Sequence, residues 1–266
     1  MINHLTPETP EAIRATGLQV GYMKEVIVRD LHFQVHRGQS LALVGMNGSG
    51  KSTLLKTLVG LIPPLGGKLD ILGAAPGRYP TRIAYLSQFH VSGFILPLRA
   101  IDVVRMGRFA DHGLLGKMTR DDEAIIEDAM ERMGVRQLAD QPLRSLSGGQ
   151  IQRVYIAQVL ARKADLLILD EPTAGVDAGG REVYQTAIQD ELNRGASVVV
   201  ATHDIQEAIR CDQAMLLARK VIAIGRGQDI FTTEALLEAF GIVITINDSG
   251  QGIAVVEREH GHDIVS

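Results

Sequence analysis

The strongest constraint on this chain lies at Gly45-Met46-Asn47-Gly48-Ser49-Gly50-Lys51-Ser52, between the short apolar run Ser40 to Val44 and a stretch carrying Leu54, Leu55, Leu58 and Val59 at helical spacing. The octapeptide fits the pattern G-x-x-x-x-G-K-[ST]. It demands a buried strand, a sharp glycine-rich bend and a helix in immediate succession. The glycines let consecutive N–H groups turn inward to form an anion cradle, and the helix adds its positive end. Lys51 is placed to reach the β- and γ-phosphates of a nucleotide, and the Ser52 hydroxyl to ligate Mg²⁺. Thr53 belongs to the same site, in the first helical turn. A chance match in a chain of this composition has odds on the order of one in a hundred, and the strand and helix on either side lower them further.

The remaining pattern places this loop in a larger frame. Ile13 to Val20 predicts a strand, and Val26 to Val35 alternates so that Leu31, Phe33 and Val35 share one side. Leu69 to Leu72 and Ile83 to Leu86 predict further strands. From Arg99 to Met133 the pattern is helical. Ala124, Ile125, Ile126, Ala129, Met130 and Met133 recur at the helical period, behind the acidic start Asp121-Asp122-Glu123. Helices are expected near Gly149–Arg162, Gly180–Asn193 and Ile205–Ile209, and strands at Leu166–Asp170 and Ser197–Ala201. This alternation predicts an α/β core with a mostly parallel sheet, an N-terminal β region, and a helical insertion over about residues 93–161. Beyond Phe231, a helix is expected at Glu234–Phe240. Ile242–Ile246 and Ile253–Glu257 flank Asp248-Ser249-Gly250 as a hairpin, and Arg258 to Ser266 reads as a polar tail. The expected division is 1–230 for the core unit and 231–266 for a C-terminal extension.

Composition excludes several functions. The formal net charge of -4 leaves no basic excess for holding a nucleic acid. No apolar run approaches the roughly 20 residues of a membrane span. Met1 to Glu11 carry prolines and acids, so no signal peptide is visible. The single cysteine, Cys211, precludes an internal disulfide framework and is expected to be a small packed residue suited to a reducing compartment. Any membrane role must come through a partner.

Leu166-Leu167-Ile168-Leu169-Asp170-Glu171 predicts a buried strand ending in two carboxylates, at the edge where open α/β sheets bind ligands. Asp170 is suited to hold Mg²⁺ directly or through water, and Glu171 to polarise an attacking water. Leu146-Ser147-Gly148-Gly149-Gln150 lies just before a helix and upstream of that strand. Ser147 and the N–H groups of Gly148 and Gly149 offer a second phosphate cradle. With this pentapeptide, the chain resembles the ATP-binding cassette (ABC) family over nearly all of Ile13 to Gly227. The resemblance implies a P-loop NTPase (RecA-like) core, ATP and Mg²⁺ as ligands, and a head-to-tail homodimer. In that dimer each ATP lies between the loop of one subunit and the 146–150 signature of the other.

The resemblance also assigns further residues. Tyr22 stands where an aromatic ring stacks on adenine. Gln88, closing Tyr85-Leu86-Ser87-Gln88, contacts Mg²⁺ or the attacking water. Ala174-Gly175-Val176-Asp177 crosses the dimer interface, and His203 contacts the γ-phosphate. Ile151 departs from the family, which usually has a polar or basic residue there. Phe94 to Leu98 and Asp102 to Phe109 are similar to the import branch handling manganese, zinc, iron and metal chelates. That similarity implies a multi-span membrane permease, an extracytoplasmic solute-binding protein, and peripheral attachment to the cytoplasmic face of the cell (inner) membrane. The alternatives are a soluble ABC-family ATPase acting on DNA or the ribosome, or a subunit serving another solute, including an exporter. The first usually carries two cassettes or a long insert, and neither appears. His260 and His262 on the polar tail are expected to bind no metal.

Overall fold

The computed structural model describes residues 10–88, 98–112, 116–240, 242–246 and 253–257. The expected signal at Phe94 to Pro97, the hairpin turn at Asp248 to Gly250 and the tail carrying His260 and His262 lie outside them. The elements are β1 (Glu11–Tyr22), β2 (Glu25–His36), β3 (Ser40–Val44), α1 (Lys51–Leu58), β4 (Gly66–Ile71), β5 (Ile83–Leu86), α2 (Ala100–Arg105), α3 (Phe109–His112), α4 (Arg120–Arg132) and α5 (Gly148–Ala161). They continue with β6 (Leu166–Asp170), α6 (Ala178–Asn193), β7 (Ser197–Thr202), α7 (Ile205–Ile209), β8 (Gln213–Leu217), β9 (Val221–Gly225), α8 (Gly227–Ile230), α9 (Thr233–Phe240), β10 (Ile242–Ile246) and β11 (Ile253–Glu257).

Six strands form the central sheet in the order β5-β6-β7-β3-β8-β9, all parallel except the edge strand β9. β3, β6 and β7 are buried at every position, so they read as continuous apolar runs rather than alternating ones. Alternation survives in the choice of face. Leu41, Leu43, Leu166, Ile168, Val199 and Ala201 face a core closed by α1 and a second, antiparallel sheet of order β2-β1-β4. Ala42, Val44, Leu167, Leu169, Val198 and Val200 face the opposite core, which the helices of the insertion complete. Two cores on one sheet are the direct outcome of period-two side-chain geometry on strands covered on both sides.

The helical stretch expected over Arg99 to Met133 is three helices. Asp122 organises them. Its carboxylate is 2% exposed, accepts the Thr119 N–H at 2.8 Å and hydroxyl at 2.6 Å, and receives Arg108 Nε at 2.8 Å. The Asp122 N–H in turn donates to the Thr119 hydroxyl, completing a reciprocal cap on α4. Of the expected apolar face, Ile126, Ala129, Met130 and Met133 are buried and Ile125 is half-buried, while Ala124 is exposed. Arg132 fastens α4 to the core by donating to Glu191 at 2.8 Å and to the Ala187 carbonyl at 2.9 Å on α6.

Strands β8 and β9, which sequence reading passed over, complete the sheet beside β3. Asp212 fixes that junction by accepting the Ser40 N–H at 2.8 Å and hydroxyl at 2.7 Å. α9 lays Ala235, Leu236, Ala239 and Phe240 on the same core as the insertion. β10 and β11 pair antiparallel from Ile242↔Glu257 to Ile246↔Ile253, as the alternation predicts. Ile151 is half-buried against the core, which accounts for an apolar residue there. Cys211 is packed, and burial pushes its thiol up to about 12, matching the expected structural role.

Candidate active site

Parallel strands end at one edge of their sheet, so β3, β5, β6 and β7 deliver their C-terminal residues to a common line. β3 leads into the 45–52 loop, β5 into Gln88, β6 ends in Asp170 followed by Glu171, and β7 leads into His203. A cavity of about 350 Å³ opens there, lined by Ile27, Asn47, Gly48, Gly50, Lys51, Ser52, Thr53, Gln88 and Glu171.

The loop glycines meet two different demands. Gly48 has φ +79 and nothing within 4 Å of where a Cβ would lie, so its backbone is open toward the cavity. At Gly50, φ is +107 and a Cβ would come within 2.3 Å of Val28 Cγ2 on β2, so the fold itself requires glycine there. Lys51 is 6% exposed and donates to the carbonyls of Gly45 at 2.6 Å and Met46 at 3.1 Å. Burial lowers its pKa, opposed by the nearby charges of Glu171 and Asp170.

Asp170 is 2% exposed, and its Oδ1 has no hydrogen-bond partner. Burial raises its pKa, while the neighbouring Ser52 hydroxyl lowers it. An unpartnered buried carboxylate oxygen beside a hydroxyl, with the Gln88 carboxamide nearby, is an oxygen donor set that fits Mg²⁺. Glu171 accepts from Gln88 Nε2 at 3.1 Å. Its backbone holds φ +50, an uncommon conformation for a non-glycine residue, and its N–H donates to the Ala201 carbonyl at 2.9 Å. The strand end thus carries two unlike carboxylates. One is buried beside Ser52, and the other is turned into the cavity on a strained backbone.

Other expected site residues stand apart from this cavity. Tyr22 is 42% exposed at the end of β1, its hydroxyl 3.5 Å from Lys56 Nζ of α1. His203 is exposed in the turn between β7 and α7. None of Ser147, Gly148, Gly149 and Gln150 lines the cavity. They form the start of α5, where Gln150 N–H donates to Ser147 Oγ at 3.3 Å and Ser147 N–H donates to Gln150 Oε1 at 2.9 Å. Ser147 and Gly148 face outward. Two residues lacked a useful sequence signal. Ile27 lines the cavity only through the fold of β2, and Gln152, outside the cavity lining on the buried side of α5, donates to the turn after Glu171.

A phosphate-cradling loop between strand and helix, with acidic residues on the neighbouring strand end, defines the P-loop NTPase class. The ABC transporter family model matches residues 28–174. The chain is 35% identical to the manganese transport system ATP-binding protein MntB of Bacillus subtilis, over 86% of this chain and 92% of that one. It is 33% identical to the zinc transport system ATP-binding protein TroB of Treponema pallidum, over 88% of each. It is also 36% identical to the chelated iron transport system membrane protein YfeB of Yersinia pestis, over 85% of this chain and 78% of that one. Among solved structures, it resembles a transporter described as of the metal-chelate ABC type, in an inward-facing conformation. The TM-score is 0.76, with 26% identity over 94% of this chain and 98% of that one. The chain belongs to the ABC transporter family and is one of its ATPases. No helix among the described residues is long and apolar enough to cross a membrane.

Proposed function

We propose that this chain is the ATP-hydrolysing subunit of an importer for a metal ion (manganese, zinc or iron) or a metal chelate. It works as a head-to-tail homodimer beneath a multi-span permease at the cytoplasmic face of the membrane, with an extracytoplasmic solute-binding protein supplying the cargo. Residues 1–230, with the insertion at about 93–161, form the ATPase unit, and 231–266 form an appended extension. The observation that carries the ATPase reading is the convergence of Lys51, Ser52, Gln88 and Glu171 on one cavity beside buried Asp170, with the 146–150 signature excluded from it. A signature at an outward-facing helix start needs a second subunit to meet a phosphate. The cargo follows from the manganese, zinc and iron transport relatives.

In this reading the loop N–H groups and Lys51 bind the phosphates, Tyr22 stacks on the base, and Ser147 to Gln150 of the opposite subunit close over the γ-phosphate. Asp170, Ser52 and the Gln88 amide oxygen would hold Mg²⁺, which supplies neutralisation of phosphate charge. Glu171, oriented by Gln88, holds and polarises the attacking water, and His203 contacts the γ-phosphate. Glu171→Gln keeps the shape but removes the water-orienting carboxylate. In cells or vesicles carrying the complete transporter, it is expected to retain ATP binding, trap an ATP-bound dimer and stop manganese, zinc or iron uptake. Wild-type turnover in this variant would refute the role of Glu171. Intact uptake of all three metals when this subunit is deleted would refute the cargo.

A further inference from the structure

The start of α5 and the turn after Glu171 belong to different ATP sites in a head-to-tail dimer, yet within one chain they are joined. Gln152, 9% exposed, donates its side-chain N–H to the Pro172 carbonyl at 2.9 Å across a buried contact. Pro172 directly follows Glu171, whose φ of +50 must be held by its surroundings. The Glu171 N–H is fixed to the Ala201 carbonyl at 2.9 Å, and the Glu171 carbonyl accepts from the Ala174 N–H at 3.2 Å. Gln88 holds the side chain at 3.1 Å, and Gln152 supplies a further anchor for the backbone, from α5. One turn earlier on the same helix, a Cβ on Gly149 would lie 3.0 Å from the Gly175 carbonyl, so the first turns of α5 rest on the 172–176 loop. The outward end of the helix has no such backing: a Cβ on Gly148 would have nothing within 4 Å.

We propose that Gln152 is a positioning residue for the Glu171 of its own subunit, so that the helix whose first turn meets one ATP also holds the carboxylate that works on the other. The inference rests on the head-to-tail reading. It separates two neighbours in sequence by where they act. Ser147 serves the opposite subunit's carboxylate, whereas Gln152 serves its own. A hydrogen-bonded helix moves as a unit over the roughly one and a half turns from Ser147 to Gln152, so a shift at Ser147 is passed to the Pro172 carbonyl.

Mixed dimers with a single working carboxylate test this, read as single-turnover hydrolysis of bound ATP. The reference dimer pairs wild type with Glu171→Gln. In the first arrangement, Gln152→Met sits in the subunit that retains Glu171. In the second, Gln152→Met and Glu171→Gln share one subunit and the partner is wild type. The first is expected to run about three- to tenfold slower than the reference, the range for one lost buried hydrogen bond, and the second to match it. Gln152→Glu, which keeps the shape and loses the donor, repeats the comparison should the methionine variant fail to fold. Equal rates in both arrangements, or slowing confined to the second, would overturn the proposal. Ser147→Ala in the same two positions reads the head-to-tail arrangement separately. It is expected to slow the reaction only when it lies opposite the working carboxylate. If it acts in its own subunit instead, the head-to-tail reading fails, and the Gln152 comparison still reports where Gln152 acts.

Discussion

At the scale of single residues, this protein buries charge around the glycine-rich loop. Lys51 is nearly sealed from solvent and donates to two loop carbonyls. Lys51→Ala removes the main side-chain cation of the cradle. Calorimetry is expected to show ATP affinity weakened about tenfold to a hundredfold, the worth of a charge-assisted bond, with activity lost in parallel. Unchanged affinity would count against the loop assignment. Glu207, on α7 just beyond His203, is 8% exposed, with the Thr202 and Tyr184 hydroxyls beside its carboxyl group. Burial raises its pKa, opposed by the Thr202 and Tyr184 hydroxyls. The folded protein therefore holds this proton more tightly than the unfolded chain does. The associated stability is whole below the ordinary glutamate range and is lost as pH rises through the raised value. Glu207→Gln stays neutral throughout, so it is expected to raise the Tm at about pH 8 and to leave it unchanged near pH 4. Thermal melts across that window check this, and equal shifts at both ends would contradict it.

At the scale of elements, a cap holds the helical insertion together. Thr119, Arg108 and His112 hold the Asp122 carboxyl well below the usual carboxylate range, with the Thr119 hydroxyl contributing most. Its contribution is whole above the unfolded value and is lost as pH falls from there through the lowered folded value. Asp122→Ala leaves Arg108 facing a buried gap and removes the side-chain half of the reciprocal cap on α4. It is expected to cost about 3 kcal/mol, measurable by urea unfolding. A loss below about 0.5 kcal/mol, the range of surface substitutions, would contradict that role. This cap also shows what the sequence could reveal. The acidic run Asp121-Asp122-Glu123 announced a helix start, but nothing local indicated that its middle member turns inward to Arg108. Ala124 fitted the apolar period and is exposed, because a period fixes an angle on the helix and not the width of the face that neighbours cover. The ends of β3, β5 and β6 were legible because apolar runs stop abruptly at Gly45, Ser87 and Asp170. β8 and β9 are just as apolar but end in no chemistry, and they passed unnoticed. The Gln152 contact was invisible for another reason: it depends on which side of α5 meets the loop after β6.

At the scale of the whole molecule, the proposed head-to-tail dimer gives each chain two half-sites that face different ways. A Ser147→Ala subunit and a Lys51→Ala subunit, each inactive alone, are therefore expected to restore activity when mixed. One interface of the mixed dimer carries both lesions and the other carries none. With random pairing about half the dimers are mixed, so recovery is bounded at roughly a quarter of wild-type sites, and coupling between sites lowers it further. ATP hydrolysis by mixtures at high protein concentration and saturating ATP reads this. No recovery, with mixed dimers demonstrated, would mean that each subunit holds a complete site or that both sites must fire together. Gly50 adds a further consequence. Because Val28 stands against it with no room for one more carbon, β2 acts as a mould in which the loop is cast. Packed behind the loop, the antiparallel sheet sets the curvature of its backbone. A shift of β2 at Val28 would reshape the 45–52 loop as surely as a change in the loop itself, so a packing substitution in the outer layer is also a substitution in the shape of the cradle.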